Sequence, residues 1–276
     1  MFEIAEYTIL SNQINQVLKG KIVHTGNLGN SPHKFVWHNC ENEEFAARIA
    51  DKVVGESFVR GRWLFIPLEP GFILLLGECG GKLLYHDPGV KQPAKYHLYV
   101  EFKDGSFLTE TTQMWGAMEL YEGDKVWERE YIKNMRLTPL DNDFSFEYFN
   151  QLFNKVTENK KYSAKALLTQ EQLIPGLGNA CAQDILFKAG LHPKHDIAEL
   201  DSSARKSFYH AIIDTVQTII AGGGRYDEVD LIGQPGRYIR LMDKNAAGRP
   251  CPRCGTVVKK ISYLGGACYF CPSCQT

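Results

Sequence analysis

Four cysteines near the C-terminal end follow the pattern C-x2-C-x16-C-x2-C: Cys251, Cys254, Cys271 and Cys274. Each C-x2-C pair presents two thiolates from one tight knuckle, and two knuckles complete a tetrahedral zinc site. Gly255 follows Cys251-Pro-Arg-Cys254, where a knuckle turn needs it, and the second pair reads Cys271-Pro-Ser-Cys274. The predicted cofactor is therefore one structural Zn2+, closed in coordination, whose binding contributes folding energy and performs no chemistry. The other cysteines, Cys40, Cys79, Cys181 and Cys268, are scattered. Cys79 and Cys181 read as buried small apolar groups, and Cys268 as a spare thiol on the finger.

A second pattern is the stretch Ile174-Pro-Gly-Leu-Gly-Asn179 directly before a helical run. Backbone N–H groups at a helix N-terminus, unobstructed by bulky side chains, make an anion site. Asn179 adds a side-chain donor, and Lys165 lies in the preceding helix. A nucleic-acid phosphate would fit there, although glycines serve an ordinary corner between two helices equally well. At the other end, Met1 to Tyr7 alternates apolar and acidic residues, with Glu3 and Glu6; by itself this reads as a first strand.

These groups need a frame. Short β-branched and aromatic runs at 21–24, 34–38, 57–66, 71–76, 82–85, 96–102 and 106–110 are separated by turn signals such as Asn30-Ser-Pro and Asp87-Pro-Gly. They predict a sandwich or barrel, preceded by a helix over 7–18. Beyond Thr138-Pro139 the period changes, and helices are expected at 143–155, with Ser145 as cap, 163–168, 180–189 and 202–221. Two strands, 257–263 and 267–270, joined at Leu264-Gly265-Gly266, complete a hairpin finger. The expected class is α+β, with a β-sandwich over 1–135, a helical domain over 140–230 and a zinc module over 231–276.

Net charge is -1 over 276 residues, but its distribution is uneven. From residue 231 onward Arg237, Arg240, Lys244, Arg249, Arg253, Lys259 and Lys260 face Asp243 alone. Such a basic module suits a polyanion. No apolar run approaches the roughly 18–20 residues of a membrane span, and the N-terminus has no basic segment of a signal peptide. A cytoplasmic monomer without membrane contact is expected. His33 and His38 flank an aromatic strand and read as surface residues rather than ligands.

Taken together, these parts resemble the formamidopyrimidine-DNA glycosylase / endonuclease VIII (Fpg/Nei) family over essentially the whole chain. The acidic M-x-E-x-x-E start precedes a β-domain. Pro175 to Pro193, PGLGNACAQDILFKAGLHP, matches the family's helix–two-turn–helix (H2TH) wording, and the finger closes with Cys271-Pro-Ser-Cys274-Gln275. The resemblance implies a cleft that grips DNA and flips the target nucleotide out. It maps Lys165 and Asn179 to phosphate contacts, and Glu3 and Glu6 to acidic positions beside the reaction centre.

The same resemblance exposes five departures. The family attacks the sugar with the amine of an N-terminal proline, where this chain has Phe2 behind Met1. The family's active-site lysine is Arg62, which keeps a phosphate-binding charge but is no amine nucleophile. Its void-filling methionine is Glu78, the first arginine of its intercalating loop is Gln113, with Trp115 still able to wedge between bases, and its finger arginine is Gly266. One expectation is a nucleic-acid-binding protein contacting its target through Arg62, Trp115, Lys165, Asn179, Arg240 and Lys260. It would have little or no glycosylase/AP-lyase activity and would bind damaged DNA, structured RNA or a ribonucleoprotein. The alternatives are an active glycosylase using a primary α-amine, or water activated by Glu3 or Glu6, and a protein-interaction module.

Overall fold

The computed structural model describes residues 1–158 and 161–276. The chain divides into two compact units, Met1–Met135 with Ile220–Tyr238, and Arg136–Ile219 with Ile239–Thr276. The segment 220–238, divided in the sequence reading between helical domain and zinc module, packs with the first unit. The reason is physical: it carries Leu231 into that unit's core and Arg225 into a buried ionic cluster.

The first unit opens with helix α1, Ile4–Val17, not with a strand. It starts three residues earlier than the apolar spacing predicts. Glu3 is its N-cap, and the Glu6 carboxylate accepts the Glu3 backbone N–H at 3.0 Å, the reciprocal half of a capping box. Tyr7, Leu10 and Ile14 of α1 are buried among the sandwich residues Leu64, Leu76, Leu98, Val100 and Met118. One sheet orders β1 (Val23–Asn27), β8 (Leu98–Phe102), β9 (Phe107–Thr112) and β7 (Gly81–His86). The other orders β2 (Val36–Trp37), β10 (Gly116–Glu122), β6 (Phe72–Gly77), β5 (Trp63–Glu69) and β3 (Val53–Val54), with β4 (Phe58–Arg60) paired to β5. All pairs are antiparallel except β10 with β2. Helix α2, Asn42–Ile49, buries Phe45 and Ile49 in the same core.

Several elements differ from expectation. The predicted strand 57–66 is a hairpin, reversed at Gly61 with φ +59°. Strands β3 and β10, helix α2 and the short helix Glu130–Lys133 were not foreseen. Strands β5 and β6 are apolar on both faces because a second cluster covers the outer one: Trp63, Phe65, Leu75 and Ala117 pack under Val126 and Ile132. Val126 belongs to a 3-10 turn, Gly123–Glu128, and Ile132 to α3, Glu130–Lys133.

In the second unit the helical expectations correspond to α4 (Phe146–Thr157), α5 (Ala164–Thr169), α6 (Asn179–Ala189) and α7 (Ser202–Ala221). Ser145 caps α4 by accepting the Tyr148 N–H at 3.1 Å. The finger strands are β11 (Lys259–Tyr263) and β12 (Gly266–Phe270). Leu264 and Gly265, with φ of 50° and 72°, form the two-residue turn between them. Among the described residues no helix is long and apolar enough to cross a membrane.

Candidate functional site

In the first unit the N-terminal residues converge on Arg225, only 2% exposed. Its guanidinium forks onto Glu6, Nε to Oε1 at 2.8 Å and an Nη to Oε2 at 2.9 Å. It also donates to the Met1 carbonyl at 2.9 Å and lies 3.7 Å from Glu3 and 3.6 Å from Glu228. Glu228 in turn accepts the Met1 α-ammonium at 2.9 Å. Such a buried bidentate pair holds two charges that burial alone would exclude. Glu6 now accepts from Arg225 three times, counting its backbone N–H at 3.3 Å, and from the Glu3 N–H. A carboxylate has about four lone-pair sites, so Glu6 is committed to the frame and does not suit the role of water-activating base. Neither Arg225 nor Glu228 was foreseen; the run Gly222-Gly-Gly-Arg225 carried the only signal, read as a break in regularity.

Phe2 is equally fixed. Its ring is 1% exposed and meets Tyr7 edge-on at 5.6 Å, and its backbone N–H donates to the Cys79 carbonyl at 2.9 Å. The Cys79 N–H donates to the Tyr7 hydroxyl at 3.0 Å, so α1 and the end of β6 are doubly tied. Burial pushes the Cys79 thiol well up, and pushes neighbouring Glu110 up to about 8, which keeps that carboxyl protonated at neutral pH.

Arg62 and Glu78, which the resemblance set against the family's lysine and methionine, are ion-paired at 3.0 Å, with Arg62 Nη1 3.5 Å from Met1 Sδ. Beside them opens a cavity of about 670 Å³, lined by Met1, Trp37, Trp63, Trp115, Arg129 and Tyr131 among others. Trp115 is 40% exposed but is not a lone wedge: it stacks on Trp37 at 5.3 Å and 13°, and leans on Phe35 at 4.5 Å. His38 also borders this cavity, and burial pushes His38 and His97 down, toward neutral imidazole.

In the second unit the glycine turn and the finger are fastened together. Lys165 is 2% exposed, and its Nζ donates to the Tyr263 carbonyl at 2.7 Å. It braces the hairpin, and the turn's carbonyl takes one of the three donors of its ammonium. Exposed Asn179, first residue of α6, donates to the Ala267 carbonyl at 3.3 Å, which Gln183 reaches at 2.7 Å. Gly266 lies here: a Cβ on it would stand 3.3 Å from Asn179 Oδ1 and 3.5 Å from Lys165 Nζ. Lys260 is exposed on β11, whereas the Arg240 side chain is 13% exposed and lies 3.8 Å from Asp243. Arg240, foreseen as a nucleic-acid contact, is thus held beside Asp243 within the unit.

The four finger cysteines meet as predicted. Their sulfurs lie within 4.8 Å of one another, Cys251 to Cys274 at 3.9 Å and Cys254 to Cys271 at 3.5 Å. Tetrahedral zinc–thiolate bonds of ~2.3 Å imply sulfur–sulfur edges of about 3.8 Å, so the set fits a metal ion. Thr256 hydrogen bonds hold the Cys254 thiol down to about 6, while the Cys254 sulfur helps push Cys274 up to about 12. A cation among the four sulfurs would hold all of them as thiolates and remove their mutual repulsion. Among the described residues this is the one cluster with metal-ligand geometry. Cys79, Cys181 and Cys268 are all buried, the last removing it as an available spare thiol.

Comparison with known proteins places these features in a family. Residues 136–229 match the formamidopyrimidine-DNA glycosylase H2TH domain. The chain is 30% identical over 235 residues to the formamidopyrimidine-DNA glycosylase of Desulforamulus reducens, covering 82% of this chain and 83% of that one. It is 31% identical over 241 residues to that of Pelotomaculum thermopropionicum, covering 85% and 86%. The fold matches that of Lactococcus lactis Fpg in a crystal complex with abasic-site DNA, with a TM-score of 0.85, 23% identity and 99% of each chain covered. The sandwich, the H2TH turn and the four-cysteine hairpin are those of the formamidopyrimidine-DNA glycosylase family, to which this chain belongs.

Proposed function

We propose that the protein binds DNA on this family's scaffold and has lost most or all of the glycosylase/AP-lyase chemistry that runs through an N-terminal amine. The observation that carries this is the state of the Phe2 nitrogen. With Met1 in place it is an amide whose N–H donates to the Cys79 carbonyl at 2.9 Å, with its side chain buried. An amide nitrogen has no lone pair to give to a sugar carbon; amine catalysis requires a free, unprotonated nitrogen in place. DNA is favoured over RNA as the partner because the relatives are named DNA glycosylases and the matching Lactococcus lactis structure is a DNA complex. The metal is read as one structural zinc, from the four-thiolate donor set.

One observation favours a second reading, in which the Met1 amine acts. It lies 2.9 Å from the Glu228 carboxylate, a group placed to take its proton, and Met1 lines the aromatic cavity. Borohydride reduction on abasic-site DNA, with intact-mass measurement of the purified protein, separates the two. No covalent adduct is expected while DNA is bound; an adduct mapped to residue 1 would overturn the first reading and establish the second.

A further inference from the structure

A second hollow in the first unit, of about 460 Å³, is walled by Gly29, Asn30, Ser31, His33, His38 and His97 among others. His38 borders both this hollow and the aromatic cavity. The loop that forms the wall is fastened in place. Gly29, with φ +94°, lies so close to His97 that a Cβ on it would stand 3.0 Å from the His97 Cα. The Asn30 side chain donates to the Ala94 carbonyl at 3.2 Å and accepts the Tyr96 N–H at 3.1 Å.

Two of the rings are held in one tautomer. The Thr112 N–H donates to His97 Nδ1 at 2.7 Å, and the Phe35 N–H donates to His33 Nδ1 at 3.3 Å. A backbone N–H cannot accept, so each Nδ1 gives its lone pair and each ring proton sits on Nε2. Rings tied this way do not suit a metal, whose histidine ligands turn a bare nitrogen to the ion and donate through the other. They present N–H donors instead. Ring centres 5.1 Å apart bring the two donors within reach of one tetrahedral oxyanion. None of the residues lining this hollow is a carboxylate, whereas Glu78 and Glu119 line the aromatic cavity and hold Arg62 and Arg129 there. Burial, with His33 and His38 close by, pushes His97 down toward the neutral form, so its contact is a hydrogen bond rather than an ion pair.

We propose that this hollow holds a phosphate of the bound nucleic acid through the Nε2–H groups of His33 and His97. The proposal rests on the DNA-binding reading and adds to it a contact made by neutral donors. Such a contact fixes the register of the backbone, and it releases none of the counterions that a lysine or arginine would displace.

The test is duplex binding by the full chain, read by fluorescence anisotropy over a range of salt at pH 8, where imidazole side chains are uncharged. His33→Asn and His97→Asn keep an oxygen for the backbone N–H and lose the far donor. Each should lower DNA affinity about 3- to 10-fold while the slope of log affinity against log salt stays unchanged; loss of a cationic contact would make that slope shallower by about 1. His33→Gln, which returns an N–H at the far end of the side chain, should recover most of the loss. In NMR spectra the His33 and His97 ring signals should shift on addition of the duplex, and not with inorganic phosphate at the same concentration. Unchanged affinity in both Asn variants, a shallower slope, or saturation of those signals by inorganic phosphate at that concentration would overturn the proposal and leave DNA binding standing. A wild-type chain that binds no duplex would remove both.

Discussion

Arg62 and Glu78 face each other at 3.0 Å at the edge of the aromatic cavity. The resemblance read each as a departure from the family pattern, and the structure joins the two in one ion pair. A carboxylate where an apolar wedge would stand is unfavourable toward DNA, and the neighbouring guanidinium neutralises it. Both side chains are partly open, 16% and 30% exposed, so the pair contributes at most about 1 kcal/mol to stability. Its larger effect is on which charges remain available to a phosphate.

Glu78→Ala should release Arg62. DNA affinity is expected to rise, and the slope of log affinity against log salt should steepen by about 1, the contribution of one added phosphate contact. Fluorescence anisotropy from low to moderate salt reads both quantities. An unchanged slope would show that Arg62 does not face the nucleic acid.

Arg225→Met should strand Glu6 in the interior. Removing one partner of a buried pair costs about 3–5 kcal/mol, and here the helix cap and the Met1 carbonyl contact are disturbed as well. Phe2→Ala should cost a similar ~3–5 kcal/mol through the cavity it leaves. Urea denaturation measures both. A Phe2→Ala variant of wild-type stability would mean that the second residue is not part of the core.

Glu110 gives the protein a pH dependence of definite sign. Its carboxyl titrates at about 8 when folded, above the ordinary 4.5. The folded state therefore holds a proton that the unfolded chain releases. Stability from this group is fully present below about pH 4.5 and declines, by at most ~1.4 kcal/mol per unit, until about pH 8. Glu110→Gln should flatten that decline and stabilise the protein at pH 8 by roughly 2–4 kcal/mol. Thermal melts between pH 5 and 8 compare the two slopes.

Removal of the metal should loosen the second unit locally. Cys251 and Cys271 are buried beside Phe187, Met242 and Val258, so a strong chelator or Cys271→Ser should expose that cluster. Elemental analysis is expected to find one zinc per chain, and hydrogen exchange should quicken in β11 and β12 while the sandwich stays protected. Full protection of the hairpin after chelation would show that the finger holds without its ion.

Much of this was legible in the sequence. The cysteine spacing sufficed for the finger because four thiolates at those intervals have few other uses, and Ser145 marked its helix because a hydroxyl cap has a local signature. Glu3 went unread as a cap since glutamate seldom serves as one, so α1 was placed late. Arg225 and Glu228 were out of reach for another reason: more than two hundred residues separate them from Glu6 and Met1, and no local pattern carries that pairing. Lys165 was placed beside the glycine turn by its helix and assigned to a phosphate by likeness, while its burial against Tyr263 depends on a hairpin turn far along the chain.

The return of residues 220–238 to the first unit has a consequence for synthesis. The first unit's core and its buried ionic cluster are complete only when Arg225 and Leu231 have been made. At about 5–20 residues per second, roughly 10–50 s pass between translation of Glu6 and that of its arginine. Throughout that interval the nascent N-terminus lacks its counter-charges. A carboxylate that the finished protein buries is thus held in the nascent chain without its arginine until most of the chain has been made.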